Sequence, residues 1–306
     1  MLLEQMIVLF LLMGVGFICY KKELITDEVS KKLSSIVVNV ANPALVLTAC
    51  MGEEKIRGEE LFTTVIIMFI MYPALLVLAS FLPGLLRIGK NTRGIYRAMT
   101  VFSNIGFMGF PVITALYGNG ALLYATPFVI IYNVLIYTYG VASIRGKREA
   151  KSGKGSLTLA GMLLNPGMIS CIITIVIYLI NVPVPAFIQT TVTYLSSLTA
   201  PLSMMIIGAS LAVMDVKSLF TDGKLIIFSV IKLLILPVGG IFIIGRFVEN
   251  PVILGVCMVM LATPVGSMNA MLAQQYGGDY ETASKGVALT TILSVATMPL
   301  IALMML

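Results

Sequence analysis

Ser103, Asn104, Ser267 and Asn269 are neutral polar side chains set in two otherwise apolar stretches. The first stretch, FSNIGFMGFPVITALYG, runs from Phe102 to Gly118. The second, LATPVGSMNAMLAQQYGG, runs from Leu261 to Gly278. Each combines its amides and hydroxyls with helix-disrupting residues: Gly109 and Pro111 in the first, Thr263, Pro264 and Gly266 in the second. Pro lacks an N–H and disturbs the preceding turn. Gly permits unwinding and close backbone approach. The pattern therefore predicts a helix interrupted at Gly109-Phe110-Pro111 and another interrupted at Thr263-Pro264-Val265-Gly266. An interrupted helix exposes two new ends. Its N-terminal end carries partial positive charge and free N–H donors, which suit an anion. Its C-terminal end offers carbonyls, which suit Na⁺ or a hydroxyl. Asn42, next to Pro43, is a third candidate amide. The other reading is a pair of proline kinks whose Asn and Ser side chains bond across helices as packing contacts.

The elements that must hold these residues belong to a membrane. Of the 306 residues, 58% are hydrophobic and only 11% charged, against about 25% charged in a soluble domain. Mean hydropathy is +1.02. The fold class expected is an all-α polytopic membrane protein. About 20 apolar residues cross the hydrocarbon. Ten candidate spans follow, near 2–20, 33–51, 61–86, 98–117, 120–143, 166–182, 187–213, 225–247, 251–275 and 283–305. Glu4 is the first charge and Lys21-Lys22 follow the first apolar stretch. That is not the order of a signal peptide, so the first span is expected to be retained.

With ten spans, 16 of the 20 basic residues fall on one face, in the loops around Lys21–Lys32, Arg87–Arg97, Arg145–Lys154, Lys217–Lys224 and Lys285. Lys55, Arg57 and Arg246 fall on the other. Basic residues collect in short cytoplasmic loops. The richer face is therefore cytoplasmic, and both termini are expected outside a cell membrane crossed many times. The net charge of +6 then reflects these loops and anionic lipid, not nucleic-acid binding.

The basic stretch RGKREAKSGK, Arg145 to Lys154, marks a cytoplasmic linker over 144–165. It separates a first five-span repeat, 1–143, from a second, 166–306. Five is odd, so the second repeat enters the membrane from the opposite face, the geometry of an inverted repeat. The prolines agree in spacing. Pro43 pairs with Pro201, Pro73 with Pro237 and Pro111 with Pro264. Each predicted break then lies about a dozen residues into its span, or ~16–18 Å at the helical rise, near the midplane. Breaks at matching places in two halves point to the site of a secondary transporter.

Lys232 is the ionisable residue well inside a span. Either its stem snorkels to the cytoplasmic face, or its ammonium draws an anion or fills a cation site. The chain has no His, which excludes His-based catalysis, metal ligation and proton relay. Cys19, Cys50, Cys171 and Cys257 form no CxxC pair. No HExxH or GxSxG occurs. No enzyme activity, metal or cofactor is expected.

At these same residues the chain resembles the auxin efflux carrier family, which includes bacterial malate and malonate permeases. NIGFMGFPVITALYG, Asn104 to Gly118, is similar to that family's N-x-x-x-M-G-x-P-x-x-x-x-x-Y-G crossover. ATPVGSMNAMLAQQYGGD in the ninth span, LTTILSVATMPL (Leu289 to Leu300) and PLSMMIIGASLA (Pro201 to Ala212) resemble other parts of the family. The resemblance implies ten helices in two inverted repeats, with crossed broken helices 4 and 9. It implies a scaffold part, a transport part and elevator-like alternating access. It also implies a carboxylate-bearing anion at the crossing, with Asn104 matching the family's crossover Asn. Plant members carry a crossover Pro where this chain has Asn269, and its own Pro comes earlier, at Pro264. The inter-repeat segment of about 22 residues is of the compact prokaryotic type.

The function expected is secondary transport of small organic anions: mono- or dicarboxylates, or auxin-like acids. A Na⁺-coupled symporter of the bile-acid type and a non-transporting ligand receptor are the alternatives. The partners expected are the anion and the lipid bilayer, with a second copy in a homodimer also considered.

Overall fold

The computed structural model describes residues 2–51, 58–145, 166–180, 183–213 and 219–304. Lys55, Arg57, Lys217 and the linker from residue 146 to 165 lie outside the described residues. Among the described residues the chain is all-helical, without a strand.

The first half begins with α1 (Leu2–Lys21). Then α2 (Asp27–Ile36) passes through a π turn, Val37–Ala41, into α3 (Asn42–Thr48). Next come α4 (Gly58–Leu85) and α5 (Arg93–Val101). A second π turn, Ile105–Gly109, leads into α6 (Phe110–Tyr117). Then α7 (Leu122–Leu135) continues through Ile136–Gly140 into α8 (Val141–Ile144). The second half holds α9 (Pro166–Ile180), α10 (Ala186–Ser196) and α11 (Thr199–Val213). After these, α12 (Gly223–Val230) runs through Ile231–Ile235 into α13 (Leu236–Ile244). The last helices are α14 (Pro251–Ala262), α15 (Met268–Gln275) and α16 (Tyr280–Leu303).

Polar side chains cap the starts of α12, α14 and α16. The side chain of Asp222 accepts from the N–H groups of Lys224 and Leu225. Asn250 accepts from Val252 and Ile253, and Asp279 from Thr282. Such caps satisfy donors that a helix leaves unpaired at its start.

The prolines are absorbed rather than helix-breaking. Pro43, Pro111 and Pro237 each stand in the first turn after a π turn. A Pro ring crowds the carbonyl four residues back and cannot donate to it. Widening that turn to an i→i+5 bond relieves the crowding and lets the helix go on. The bonds concerned are Asn42 N–H to Val37, Phe110 to Ile105 and Leu236 to Ile231. Pro201 and Pro73 follow no such turn; both lie within α-helix.

Five helical stretches are long and apolar enough to cross a membrane: 58–85, 119–144, 186–213, 223–244 and 280–303. Shorter apolar helices cover 7–21, 105–117, 166–180 and 251–262. Large apolar side chains stand exposed on these helices, among them Phe81, Phe187 and Phe242. Water would penalise such a surface, and hydrocarbon would not.

Two packing groups emerge. In one, α1 lies along α11, while α9 and α10 flank α3. Gly16 and Gly208 let the backbones of α1 and α11 touch. A Cβ on Gly16 would strike the Met205 carbonyl, and one on Gly208 the Met13 carbonyl. Small residues of this kind permit close helix approach in membranes. In the other group, α4, α5, α7 and α8 pack together, and α12–α16 pack around α14 and α16. The groups meet where α1 and α11 face α6 and its π turn, and where α3 and α9 face α7.

Candidate crossover site

The second break falls where the sequence predicts it. α14 ends at Ala262, and Thr263 turns to extended backbone (φ −63°, ψ 144°) before α15 begins. The first break does not. Gly109, Phe110 and Pro111 lie within continuous helix, and the interruption is at Phe102–Asn104 instead. The π turn accommodates Pro111, so nothing has to open there. Phe102 leaves α5 in extended geometry (φ −98°, ψ 93°) because its carbonyl is engaged by the other break.

The two breaks bind each other. Ser103 and Val265 form an isolated antiparallel bridge. The Asn104 N–H donates to the Pro264 carbonyl at 2.7 Å, and the Gly266 N–H donates to the Phe102 carbonyl at 2.9 Å. A Cβ at Gly266 would come within 2.9 Å of the Ser103 oxygen, so this contact requires glycine. The Val265 N–H donates to the Thr290 hydroxyl on α16 at 3.0 Å. The crossing therefore satisfies most of the backbone that the breaks release, as a low-dielectric setting demands.

It leaves a particular set open. Among the described residues no partner binds the N–H groups of Gly106 and Phe107, at the start of one half-helix. The same holds for Ser267 and Met268, at the start of the other. All four residues are only half-buried. Antiparallel pairing sends the two half-helices away from the crossing in opposite directions. Both positive dipole ends therefore sit at the crossing. Four donors with two helix N-termini make a setting for an anion.

Three amides surround it. Asn104 is 7% exposed, and its side chain caps nothing. Asn42 opens α3, and its Nδ2 would lie 3.0 Å from a Cβ on Gly106. Its Oδ1 is buried without a partner among the described residues. Asn42 thus brings the first packing group to the half-helix start. Asn269 is fully buried and clips the crossing together, donating to the carbonyls of Phe102 and Gly266, both at 2.9 Å. Its Oδ1 has no partner among the described residues.

The remaining predicted residues divide. Pro264 supplies the carbonyl that holds Asn104, and Ser267 is the residue that precedes α15, partly exposed. Thr263 is buried, and its hydroxyl donates to the Met260 carbonyl at 3.3 Å. Its methyl would lie 3.6 Å from a Cβ on Gly109, which places those two side by side. Pro111 is buried in the first turn of α6. Lys232 does not snorkel. It is 1% exposed, and its ammonium donates to the Ser103 hydroxyl at 2.7 Å and the Thr100 carbonyl at 3.3 Å. Its acceptors lie at the end of α5 and in the break, and the stem reaches inward to them.

Sequence reasoning missed Thr100 and Thr290, and the backbone donors of Gly106, Phe107 and Met268. Backbone groups carry no residue signature. The two threonines look like ordinary Thr residues that bond back along their own helices, and Thr290 does so as well, to Gly286.

A family model described as "Membrane transport protein" matches residues 1–158 and 155–302 of the chain. A protein of Rhizobium meliloti (strain 1021) named "Putative malonate transporter" is 24% identical, over 93% of this chain and 90% of that protein. An uncharacterized transporter of Methanocaldococcus jannaschii is 24% identical, over 97% of both chains. Another, from Methanothermobacter thermautotrophicus, is 22% identical over 97% of this chain and 96% of its own length.

Proposed function

The chain belongs to the membrane transport protein family, and from that premise we propose that it is a secondary transporter of small organic anions working by elevator-like alternating access. The single observation that carries this reading is the set of four N–H groups, at Gly106, Phe107, Ser267 and Met268, that find no partner among the described residues. They stand where two half-helix N-termini meet. A carboxylate is acceptor-only and offers about four lone-pair sites. It can satisfy such donors, with the Asn104 and Asn42 amides beside them. The substrate class is mono- or dicarboxylates, with auxin-like acids included. The name of the Rhizobium relative makes malonate the first compound to try.

The wider architecture belongs to the same proposal. The chain would cross the cell membrane ten times in two inverted repeats, 1–143 and 166–306. Basic loops would face the cytoplasm and both termini the outside. Support comes from the apolar helices, from the mutual pairing of the two breaks and from the charge asymmetry. The group of α1, α2–α3 and α9–α11 would be the scaffold. The group holding the crossing would move against it and carry the anion.

The test is uptake of radiolabelled malonate, malate and an indole carboxylic acid into proteoliposomes, with and without an imposed membrane potential. Saturable uptake of at least one acid is expected. Asn104→Ala should lower it at least about tenfold, the equivalent of one lost hydrogen bond to a charged group. Unchanged uptake in that variant would remove the site assignment. Saturable binding without flux would favour a receptor.

A further inference from the structure

The two negative ends at the crossing differ. α14 ends quietly, with the Thr263 N–H and hydroxyl closing on the carbonyls of Val259 and Met260. α5 ends against a buried ammonium. Lys232 Nζ donates to Thr100, one of the last carbonyls of α5, and to the hydroxyl of Ser103 within the break. No carboxylate pairs with Lys232 among the described residues, whose ion pairs are Lys32–Glu28 and Lys285–Glu281. Carbonyls at a half-helix C-terminus, with a neighbouring hydroxyl, are the ligands with which transporters of broken-helix design hold a coupling Na⁺. We propose that the Lys232 ammonium is a tethered substitute for that cation, so that the protein binds its anion without a small co-ion.

The placement explains several features together. The site carries its own positive charge on Ser103, the residue next to Asn104. An ammonium buried without a carboxylate is costly, and an anion at the crossing would supply the missing countercharge. The tether also joins the eighth predicted span to the fourth, so the cation stays with the crossing through the cycle. This rests on the transporter reading above. It deepens that reading by excluding Na⁺ coupling.

The experiment compares wild-type protein with Lys232→Ala and the near-isosteric Lys232→Met. Malonate uptake is measured with sodium, methylammonium or N-methylglucamine as the only cation. Melting temperature is measured in the same salts without malonate. Wild-type uptake and melting should be indifferent to the choice. The variants should lose at least about tenfold of their uptake in N-methylglucamine, since hydrogen bonds to a charged group are removed. They should recover in sodium or methylammonium, and those ions should raise their melting temperature. Wild-type uptake or melting that depends on sodium overturns the proposal, whether or not the variants fold. So does a variant that transports like wild type in N-methylglucamine, or a folded one indifferent to every small cation. If wild type moves no malonate, the transporter reading has failed in its substrate. The melting arm still decides whether Lys232 fills a cation site.

Discussion

Asn104 and Asn269 occupy comparable places in their stretches, but their amides do different things. Asn269 donates to two backbone carbonyls, one from each break, and has no exposed surface. Its replacement by Ala would leave Phe102 with one fewer donor and should destabilise the protein by about 1–3 kcal/mol. A thermal melt should show a clear drop in transition temperature for Asn269→Ala and almost none for Asn104→Ala, whose side chain caps nothing. Equal drops would mean that Asn104 is a structural residue, too. At this scale the sequence was informative where a residue type is anomalous. An Asn, Ser or Lys in apolar sequence stands out because burial without a partner is costly. It was silent on which polar atom is used. Asn269 reads as a ligand or a packing contact until its amide is seen holding the crossing, and Lys232 reads equally as a snorkelling residue or a buried cation until its acceptors are seen.

Among the elements, the breaks show both what a pattern reveals and what it cannot. Thr263 to Gly266 opened where Pro and Gly stand, since Thr263 begins the non-helical segment and Gly266 permits the approach to Ser103. The first break opened seven residues before Gly109-Phe110-Pro111, at residues with no Pro or Gly among them. Its cause is tertiary: Phe102 and Asn104 give their backbone bonds to Gly266 and Pro264. Local reading has no access to a partner some 160 residues away by sequence number. The π turns also hide from it, because they convert a Pro from a stop into a tolerated residue. Thr290 shows how much the second break relies on its neighbour. Its hydroxyl is the acceptor for the Val265 N–H. Thr290→Val should leave that N–H buried and unpaired, at about 1–3 kcal/mol, and Thr290→Ser should restore the melting temperature. A Val variant as stable as wild type would show that the break needs no support from α16.

For the molecule as a whole, the helical class and the membrane setting follow from composition. The division into two packing groups does not, because it cuts across the halves of the chain. α1–α3 pack with α9–α11, although more than 100 residues separate them in sequence. Topology is the property that joins the two levels. If the basic loops face the cytoplasm, the exposed turn at Lys90 lies inside and the exposed segment at Glu249 lies outside. Single cysteines at these positions, Lys90→Cys and Glu249→Cys, can be placed in a chain whose Cys19, Cys50, Cys171 and Cys257 are replaced. In intact cells a membrane-impermeant maleimide should label Glu249→Cys at once, and Lys90→Cys only after the membrane is opened. The opposite result would invert the molecule and leave the crossing untouched. Labelling of both in intact cells would mean that a span between them is miscounted. The count is decisive, because only an odd number of spans in each half, such as the proposed five, would set corresponding helices of the two halves in opposite directions. Only in that proposed arrangement would two half-helix N-termini arrive at one crossing from opposite faces of the membrane, so that an anion held there would meet the same donors from either side.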